Sequence, residues 1–240
     1  MRLDKAVSAA LGLTRKEGRA LIAAGRVTVD GAVCRRADLP LAGGEKLLAD
    51  GKPAVYEEYV YLMMNKPAGV LSATEDGRGP TVTDLLGGAY PRRALFPAGR
   101  LDKDSTGFVL LTDDGPLAHA LLAPRRHVAK TYRVALDAPV TQEMVQGFAA
   151  GVTLADGTLL KPARLVPDAA DPCRCTVVLT QGVYHQIKRM FGVYGAGVNA
   201  LHRTAIGGVR LDEALAPGEF RPLTAEERRA LGQGDLSQAR

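Results

Sequence analysis

Residues 98–115, AGRLDKDSTGFVLLTDDG, decide how the larger part of this chain folds. The four apolar residues at 108–111 predict a buried strand, and the polar, glycine-bounded segment before them predicts an exposed loop anchored by that strand. This loop carries Asp102 two positions after Arg100. A carboxylate in such a loop can bond its own backbone as a turn residue, or act as a nucleophile beside a cation suited to phosphates. Taken alone, the stretch favours the turn.

Composition places the chain among globular proteins of one or two domains. It has 240 residues, of which 46% are hydrophobic. No apolar run reaches the roughly 18 residues that cross a bilayer, and the N-terminus lacks the apolar core of a signal peptide. The three cysteines include a single CxC pair, which argues against a disulfide scaffold or a structural zinc site. We therefore expect a cytoplasmic protein with no membrane partner.

The first part of the chain, residues 1–48, is predicted to be a small basic module. Residues 2–36 hold eight cations and three anions, an excess of +5 that equals the net charge of the whole chain. Such clustering favours a polyanionic partner, and a solvated charged face is the alternative. Residues 49–58 are polar and rich in turn formers, so we interpret them as a linker.

The module has the pattern of two short helices followed by a hairpin. The spacing of apolar residues at 3, 7 and 11 predicts a helix over 3–11 with Leu11 on its buried face. Thr14 and Glu17 match a capping box that opens a second helix, which ends at Gly25. The dipeptide at 30–31, Asp-Gly, predicts a β-hairpin.

Residues 59–231 are predicted to form a larger mixed α+β domain, and residues 232–240 a disordered tail. Apolar alternation indicates the strands, and helical spacing with capping residues indicates the helices. The predicted elements are strands at 59–64, 108–111, 132–136 and 176–178 and helices at 117–122 and 141–150.

Two further motifs could join Asp102 in a site. If residues 184–191, YHQIKRMF, are helical, the apolar residues face inward while His185, Lys188 and Arg189 face a cleft, although such a charged face is often only solvated. Tyr132 lies in a predicted strand, where it is either a core residue or a stacking platform for an extruded base. Asp104 is interpreted as a turn residue.

Together these motifs resemble two known families. Residues 2–31 resemble the S4 RNA-binding domain, and GRLD at 99–102, KTY at 130–132 and YHQIKRMF at 184–191 resemble the RsuA-type pseudouridine synthases. The second resemblance extends to the motifs at 65–72, 201–208 and 215–224. It implies a catalytic domain built on a central, mainly antiparallel sheet, and isomerisation of uridine to pseudouridine in RNA without a cofactor or a metal.

The resemblance also implies roles for individual residues. Asp102 matches the family's nucleophile, Lys188 the basic residue paired with it, and Tyr132 the tyrosine that stacks on the target base. Many relatives have arginine where this chain has Lys188, and lysine offers a point charge in place of a bidentate fork. Whether Asp102 attacks the ribose or the base stays open. The implied RNA-binding residues are Arg2, Lys5, Arg15, Lys16, Arg19, Arg26, Arg100, His185 and Arg189.

The full-length pattern predicts a monomeric enzyme that modifies 16S ribosomal RNA, free or in an assembling small subunit. Two alternatives stay open at this point. The same chemistry could act on 23S ribosomal RNA, or the chain could be a ribosome-assembly factor that binds RNA without catalysis. The presence of Asp102, Tyr132 and Lys188 argues against a pure binding protein, because binding alone does not need that carboxylate.

Overall fold

The computed structural model describes residues 1–54, 56–77, 79–123 and 128–232. These residues form two compact units, Met1–Val60 with Tyr90–Arg93, and Tyr61–Ala89 with Ala94–Arg240. The predicted tail lies outside the described residues except for Gly232. No helix in the described part of the chain is long and apolar enough to span a membrane.

The first unit contains two helices and a four-stranded sheet in the order β2-β1-β3-β4. The second helix begins and ends where its capping residues predict, because Thr14 and Glu17 form the reciprocal capping box and Gly25 adopts a φ of 73° after the helix. Leu11 is 38% exposed, so its predicted burial is wrong, since the first helix already ends one residue earlier. The elements are α1 (Leu3–Ala10), α2 (Arg15–Ala23), β1 (Val27–Val29), β2 (Ala32–Val33), β3 (Leu47–Ala49) and β4 (Lys52–Pro53).

Two Asp-Gly turns connect the strands of this sheet. Asp30 and Gly31 have φ of 50° and 85° and join β1 to β2, as predicted from their sequence. Asp50 and Gly51 have φ of 50° and 74° and join β3 to β4 in the same way. The second hairpin therefore occupies the beginning of the segment interpreted as a linker, because Asp-Gly there closes a hairpin and does not interrupt structure.

The second unit is built on a nine-stranded sheet. Its main path runs β13-β5-β7-β11-β8-β10-β9, with β6 paired to β7 and β12 to β11. Only the β7 and β11 pair is parallel among the described strands, so the predicted mainly antiparallel sheet is confirmed. The strands are β5 (Tyr61–Lys66), β6 (Phe96–Pro97), β7 (Thr106–Thr112), β8 (Lys130–Leu136), β9 (Arg164–Pro167), β10 (Arg174–Leu179), β11 (Val198–Ile206), β12 (Val209–Arg210) and β13 (Phe220–Pro222).

Four short α-helices and a 3₁₀ turn, Asp84–Leu86, complete this unit. Asp114 caps the first of the helices by accepting a 2.9 Å hydrogen bond from the Leu117 amide. On one side of the sheet, Phe108 and Leu110 of β7 pack in a buried cluster with residues of that helix. The helices are α3 (Gly115–Leu122), α4 (Gln142–Ala150), α5 (Gln186–Gly192) and α6 (Ala225–Ala230).

Strand register aligns four residues across the centre of the sheet. Lys66 pairs with Gly107, Gly107 with Arg203, and Arg203 with Tyr132. Directly paired residues point to the same face, so the lysine, the arginine and the tyrosine share one face. We call these four residues the central row. Gly107 has a φ of 100°, and a Cβ at this position would lie 2.3 Å from the Arg203 carbonyl oxygen.

We expect Gly107→Ala to destabilise the second unit by at least about 2 kcal/mol, because a Cβ meets rigid backbone and the left-handed φ disfavours a side chain. Urea unfolding measures the free energy of unfolding of the variant and the parent. Gly77→Ala is the control, since a Cβ there meets no atom within 4 Å and its φ is not in the left-handed region. Equal stability of the two variants would contradict the close approach described for Gly107.

Candidate active site

The loop between β6 and β7 carries Asp102 and is fixed at both sides of this residue. The Leu101 amide donates to Ser72 Oγ at 3.0 Å, and this hydroxyl donates back to the Leu101 carbonyl at 2.9 Å. The Ser105 amide donates to the Asp102 carbonyl at 3.1 Å. Leu101 is buried and the Asp102 side chain is 26% exposed. The loop therefore uses the leucine as an anchor and presents the neighbouring carboxylate to solvent.

The fully buried side chain of Lys66 holds the backbone of this loop through hydrogen bonds. Its Nζ donates to the carbonyl oxygens of Asp102 at 3.1 Å, Lys103 at 3.2 Å and Ser105 at 2.7 Å. It also donates to Pro67 at 3.0 Å. Burial lowers the pKa of Lys66 to about 8, against the opposing effect of the carboxylates of Asp104 and Asp102.

Sequence reasoning gave Lys66 no role of its own. The sequence feature that could have indicated a role is a lysine at the end of a largely apolar strand, directly before a proline. A buried lysine needs several acceptors, and the predicted loop supplies carbonyl groups that no regular element uses.

A cleft of about 510 Å³ lies beside the loop. Asp102 Oδ1 is 3.6 Å from His185 Nε2, and Asp102 Oδ2 is 3.8 Å from Lys188 Nζ. Both side chains are close enough to the carboxylate for an electrostatic interaction, but both distances are too long for hydrogen bonds. The cleft is lined by Ala68, Gly69, Asp102, Lys103, Asp104, His185 and Lys188.

Lys188 makes its hydrogen bonds with Asp104. Its Nζ lies 2.8 Å and 2.6 Å from the two carboxylate oxygens of that residue. This hydrogen bond lowers the pKa of Asp104, against the opposing effect of burial. Asp104 lies in a turn, as predicted, and its carboxylate is in addition the hydrogen-bonding partner of the lysine expected to pair with Asp102.

The other predicted residues of this unit occupy different surroundings. Helix α5 begins at Gln186, and His185 precedes it as a left-handed residue with a φ of 51°. Arg189 bonds Asp156 and does not line the cleft. Arg100 is exposed, and Tyr132 is 8% exposed in the central row. The structure thus brings Asp102, His185 and Lys188 together at the cleft, whereas Arg100, Tyr132 and Arg189 are not among the residues that line it.

Two further cations lie on the tyrosine-bearing face of the sheet. Arg203 is buried in the central row, and its Nε donates to the Phe108 carbonyl at 2.7 Å. Lys130 precedes Tyr132 by two residues on β8 and therefore points to the same face. Burial, with the charge of Arg203, lowers the pKa of Lys130 to about 8. No hydrogen-bond or ion-pair partner for its ammonium is found among the described residues.

In the first unit, one buried carboxylate organises three of the predicted RNA-binding arginines. Asp4 is fully buried and accepts hydrogen bonds from Arg2 at 3.2 Å, Arg15 at 2.9 Å and Arg19 at 2.9 Å. Burial raises the pKa of Asp4, but the hydrogen bond from Arg19 and the charges of Arg2 and Arg15 outweigh burial and lower it. The arginine side chains stay half exposed. We call these four residues the arginine tripod.

The remaining predicted cations of the first unit divide into two kinds. Arg26 forms a two-pronged ion pair with Asp50, which accepts hydrogen bonds of 2.6 Å and 2.5 Å. Lys5 and Lys16 are exposed, and neither has a charged partner in the described part of the chain. The surface therefore combines organised guanidinium groups with two exposed ammonium groups.

Comparisons with known proteins identify the family. Residues 60–192 match the RNA pseudouridylate synthase family, and residues 1–47 match the S4 domain. The chain is 44% identical over 236 residues to an uncharacterized RNA pseudouridine synthase, YtzG, of Bacillus subtilis, covering 97% of this chain and 99% of the relative. The chain belongs to the RNA pseudouridine synthase family. Members of this family are isomerases.

Two more relatives agree with this assignment. The ribosomal small subunit pseudouridine synthase A of Escherichia coli strain K12 is 43% identical over 229 residues, which is 95% of this chain and 98% of the relative. A crystal structure of a pseudouridylate synthase superposes with a TM-score of 0.66 at 36% identity, covering 96% of this chain and 99% of that one. The synthase family therefore accounts for both units.

We expect Asp4→Asn to destabilise the synthase by about 2–4 kcal/mol, because it removes the charge shared by three arginines and leaves them to repel one another. Chemical denaturation monitored by circular dichroism measures the change. Asp50→Asn is the matched control, since it breaks an exposed pair with Arg26 and should cost less than about 1 kcal/mol. A loss as small as that of the control would show that the arginines do not depend on Asp4.

Lys130→Met should stabilise the synthase by on the order of 2 kcal/mol at pH 7, since it replaces a partly buried charge, which has no partner among the described residues, with an apolar side chain of similar length. The folded-state pKa of Lys130 is about 8 and the unfolded value is 10.5, so the unfolded chain binds more protons between these values. The parent protein therefore gains stability as pH rises from 8 to 10.5, and the advantage of the variant should shrink across this range. Denaturation at pH 7, 8.5 and 10 checks this. An advantage that is constant with pH would contradict it.

Proposed function

We propose that this enzyme isomerises a specific uridine of 16S ribosomal RNA to pseudouridine, with Asp102 as the nucleophile. The position of the Asp102 carboxylate carries the proposal: it lies in an open cleft, 3.6 Å and 3.8 Å from two basic side chains. The name of the Escherichia coli relative, a ribosomal small subunit synthase, supports the choice of RNA. The enzyme acts as a cytoplasmic monomer on free RNA or on an assembling small subunit, without a metal or a cofactor.

The environment of Asp102 suits a nucleophile. Lys188 supplies neighbouring positive charge and His185 a basic ring, yet neither is close enough to donate a hydrogen bond to the carboxylate. Hydrogen bonds to its oxygens would tie up the lone pairs needed for attack. Asp104 takes up the hydrogen bonds of Lys188, so Asp102 keeps a counterion and free oxygen atoms at the same time.

The reaction moves one bond and needs no redox step. Asp102 forms a covalent bond to the ribose or to the base as the N-glycosidic bond breaks. The base turns over and rejoins the ribose through carbon, the bond to Asp102 breaks and restores the carboxylate, and the ring carbon loses a proton while the released ring nitrogen gains one. Tyr132 stacks on the base in this cycle and assists proton removal from the ring carbon. Arg100 is exposed on the same loop, where it replaces the everted base in the RNA or holds its phosphates. The base leaves its stack at a cost of a few kcal/mol.

The first unit supplies binding free energy to offset that cost. Residues 1–48 bind phosphates through the arginine tripod with Lys5, Lys16 and Arg26, and residues 59–231 carry the chemistry. His185 and Arg189 belong to the RNA-facing side of the catalytic domain. Phosphate contacts of this kind are salt-dependent and weakly sequence-specific, so the choice of uridine depends on what fits the cleft.

Pseudouridine mapping in a strain that lacks this gene tests the proposal. One 16S position should lose its pseudouridine, and the parent gene should restore it. Asp102→Asn should not restore it and should lower the rate in vitro by more than about a thousand-fold, because the amide is not a nucleophile. Asp104→Asn should keep activity within roughly ten-fold of the parent, because Lys188 remains close to Asp102.

Three results would count against the proposal. Loss of a 23S position with 16S unchanged would assign the enzyme to the large subunit. An active Asp102→Asn enzyme would remove the nucleophile assignment. A larger loss in Asp104→Asn than in Asp102→Asn would reverse the roles of the two carboxylates.

A further inference from the structure

An exposed aromatic ring stacks on a residue that lines the cleft. Tyr184 is 75% exposed, and its ring stacks on that of His185 with centroids 3.8 Å apart and planes inclined by 17°. His185 is itself 3.6 Å from the Asp102 carboxylate. The imidazole therefore covers one face of the Tyr184 ring, and the high exposure of the side chain leaves the opposite face to solvent.

The turn that holds the two rings is well defined. His185 has a left-handed backbone, which is unfavourable for a residue with a Cβ. Buried Gln186 holds the turn through two hydrogen bonds with Val183. Its side-chain Oε1 accepts from the Val183 backbone amide at 3.1 Å, and its backbone amide donates to the Val183 carbonyl at 3.1 Å. A strained residue retained by its surroundings indicates a functional constraint.

The exposed ring has the chemistry of a base-stacking surface. Eversion of a nucleotide leaves the neighbouring bases with uncovered faces. Aromatic side chains cover such faces, and they do so with little sequence preference because every base has a π-face. The ring of Tyr184 is held one stacking distance from His185, whose Nε2 lies 3.6 Å from the carboxylate proposed to attack the everted uridine.

We propose that Tyr184 stacks on an RNA base adjacent in sequence to the uridine that enters the cleft. The inference rests on the proposed RNA substrate and adds a binding subsite to it. Tyr184 acts on substrate binding and not on the bond-making step. The ring, and not the hydroxyl, carries the interaction.

Steady-state and single-turnover kinetics on transcribed 16S ribosomal RNA separate binding from chemistry. Tyr184→Ala should raise KM roughly ten-fold and leave the single-turnover rate at saturating enzyme within about three-fold of the parent. Tyr184→Phe should behave like the parent, because it keeps the ring. Leu159→Ala is the control, since Leu159 is a similarly exposed apolar side chain, at 68%.

A structural role for Tyr184 predicts the opposite pattern. If its ring only supports His185 beside Asp102, Tyr184→Ala lowers the saturating single-turnover rate and leaves KM unchanged. That result would overturn the proposal, and so would a Tyr184→Phe enzyme as impaired as Tyr184→Ala.

Short RNAs that span the mapped uridine identify the stacked base. Each carries an abasic nucleotide on the 5′ or the 3′ side of the target. For one of the two RNAs, the KM of the parent should rise roughly ten-fold, and Tyr184→Ala should raise that KM by no more than about a further two-fold. If Tyr184→Ala raises KM equally for the intact RNA and both abasic RNAs, the ring does not contact a neighbouring base.

Binding of oligouridylate, ten nucleotides long, tests the surface even if ribosomal RNA is not the substrate. Tyr184→Ala should weaken its binding to the full-length protein at least about five-fold, and Leu159→Ala less than two-fold. A parent enzyme that is inactive on ribosomal RNA but binds oligouridylate through Tyr184 would refute the proposed substrate alone. Equal oligouridylate affinity of Tyr184→Ala and the parent would refute the stacking surface alone.

Discussion

The buried ammonium of Lys66 is the interaction on which the catalytic loop depends. A loop that projects a carboxylate must leave several of its carbonyl groups outside any sheet or helix, and buried carbonyl groups without donors are costly. One ammonium donates hydrogen bonds to three carbonyl oxygens of the loop, at Asp102, Lys103 and Ser105. Because Lys66 lies on β5 and pairs with Gly107 of β7, strand pairing fixes the position of the loop relative to the sheet. The side chain of Asp102 is thereby free to face the cleft, since its backbone is already held.

The same sheet geometry explains why several cations can lie near one another here. Gly107 lacks a side chain in the central row, so the neighbouring strand can approach closely and Arg203 can turn its Nε to the Phe108 carbonyl. Burial, together with the charge of Arg203, lowers the pKa values of Lys66 and Lys130 to about 8. The loop carboxylates of Asp102 and Asp104 partly compensate this positive charge. Lys66 therefore links the loop to the buried cations of the sheet through charge as well as through hydrogen bonds.

How much of this could be predicted from the sequence depends on the range of the interaction involved. Local signals were sufficient for the capping box at Thr14, the hairpin at 30–31 and the buried strand after the loop, because neighbouring residues determine each of them. The partner of Lys188 was not predictable in this way, since Asp102 and Asp104 are two residues apart and either could face α5. The hydrogen bonding of Lys66 also depends on strand register, which pattern alone does not give. The prediction that Leu11 is buried was wrong, because the apolar periodicity of the sequence continues past the residue at which the helix ends.

The two units use carboxylates in contrasting ways, and the contrast follows from hydrogen bonding. Asp4 accepts hydrogen bonds from three arginines and is fully buried, so its oxygens are consumed in holding the guanidinium groups and the tripod keeps a net charge of +2, three cations less one anion. Such preorganised guanidinium groups lose little further side-chain entropy when they bind phosphate. Asp102 has the cation of Lys188 and the ring of His185 nearby but beyond hydrogen-bonding distance, so it keeps a counterion while its lone pairs stay available. A carboxylate thus becomes structural or reactive according to whether its neighbours donate to it, and in the cleft Asp104 takes those hydrogen bonds in place of Asp102.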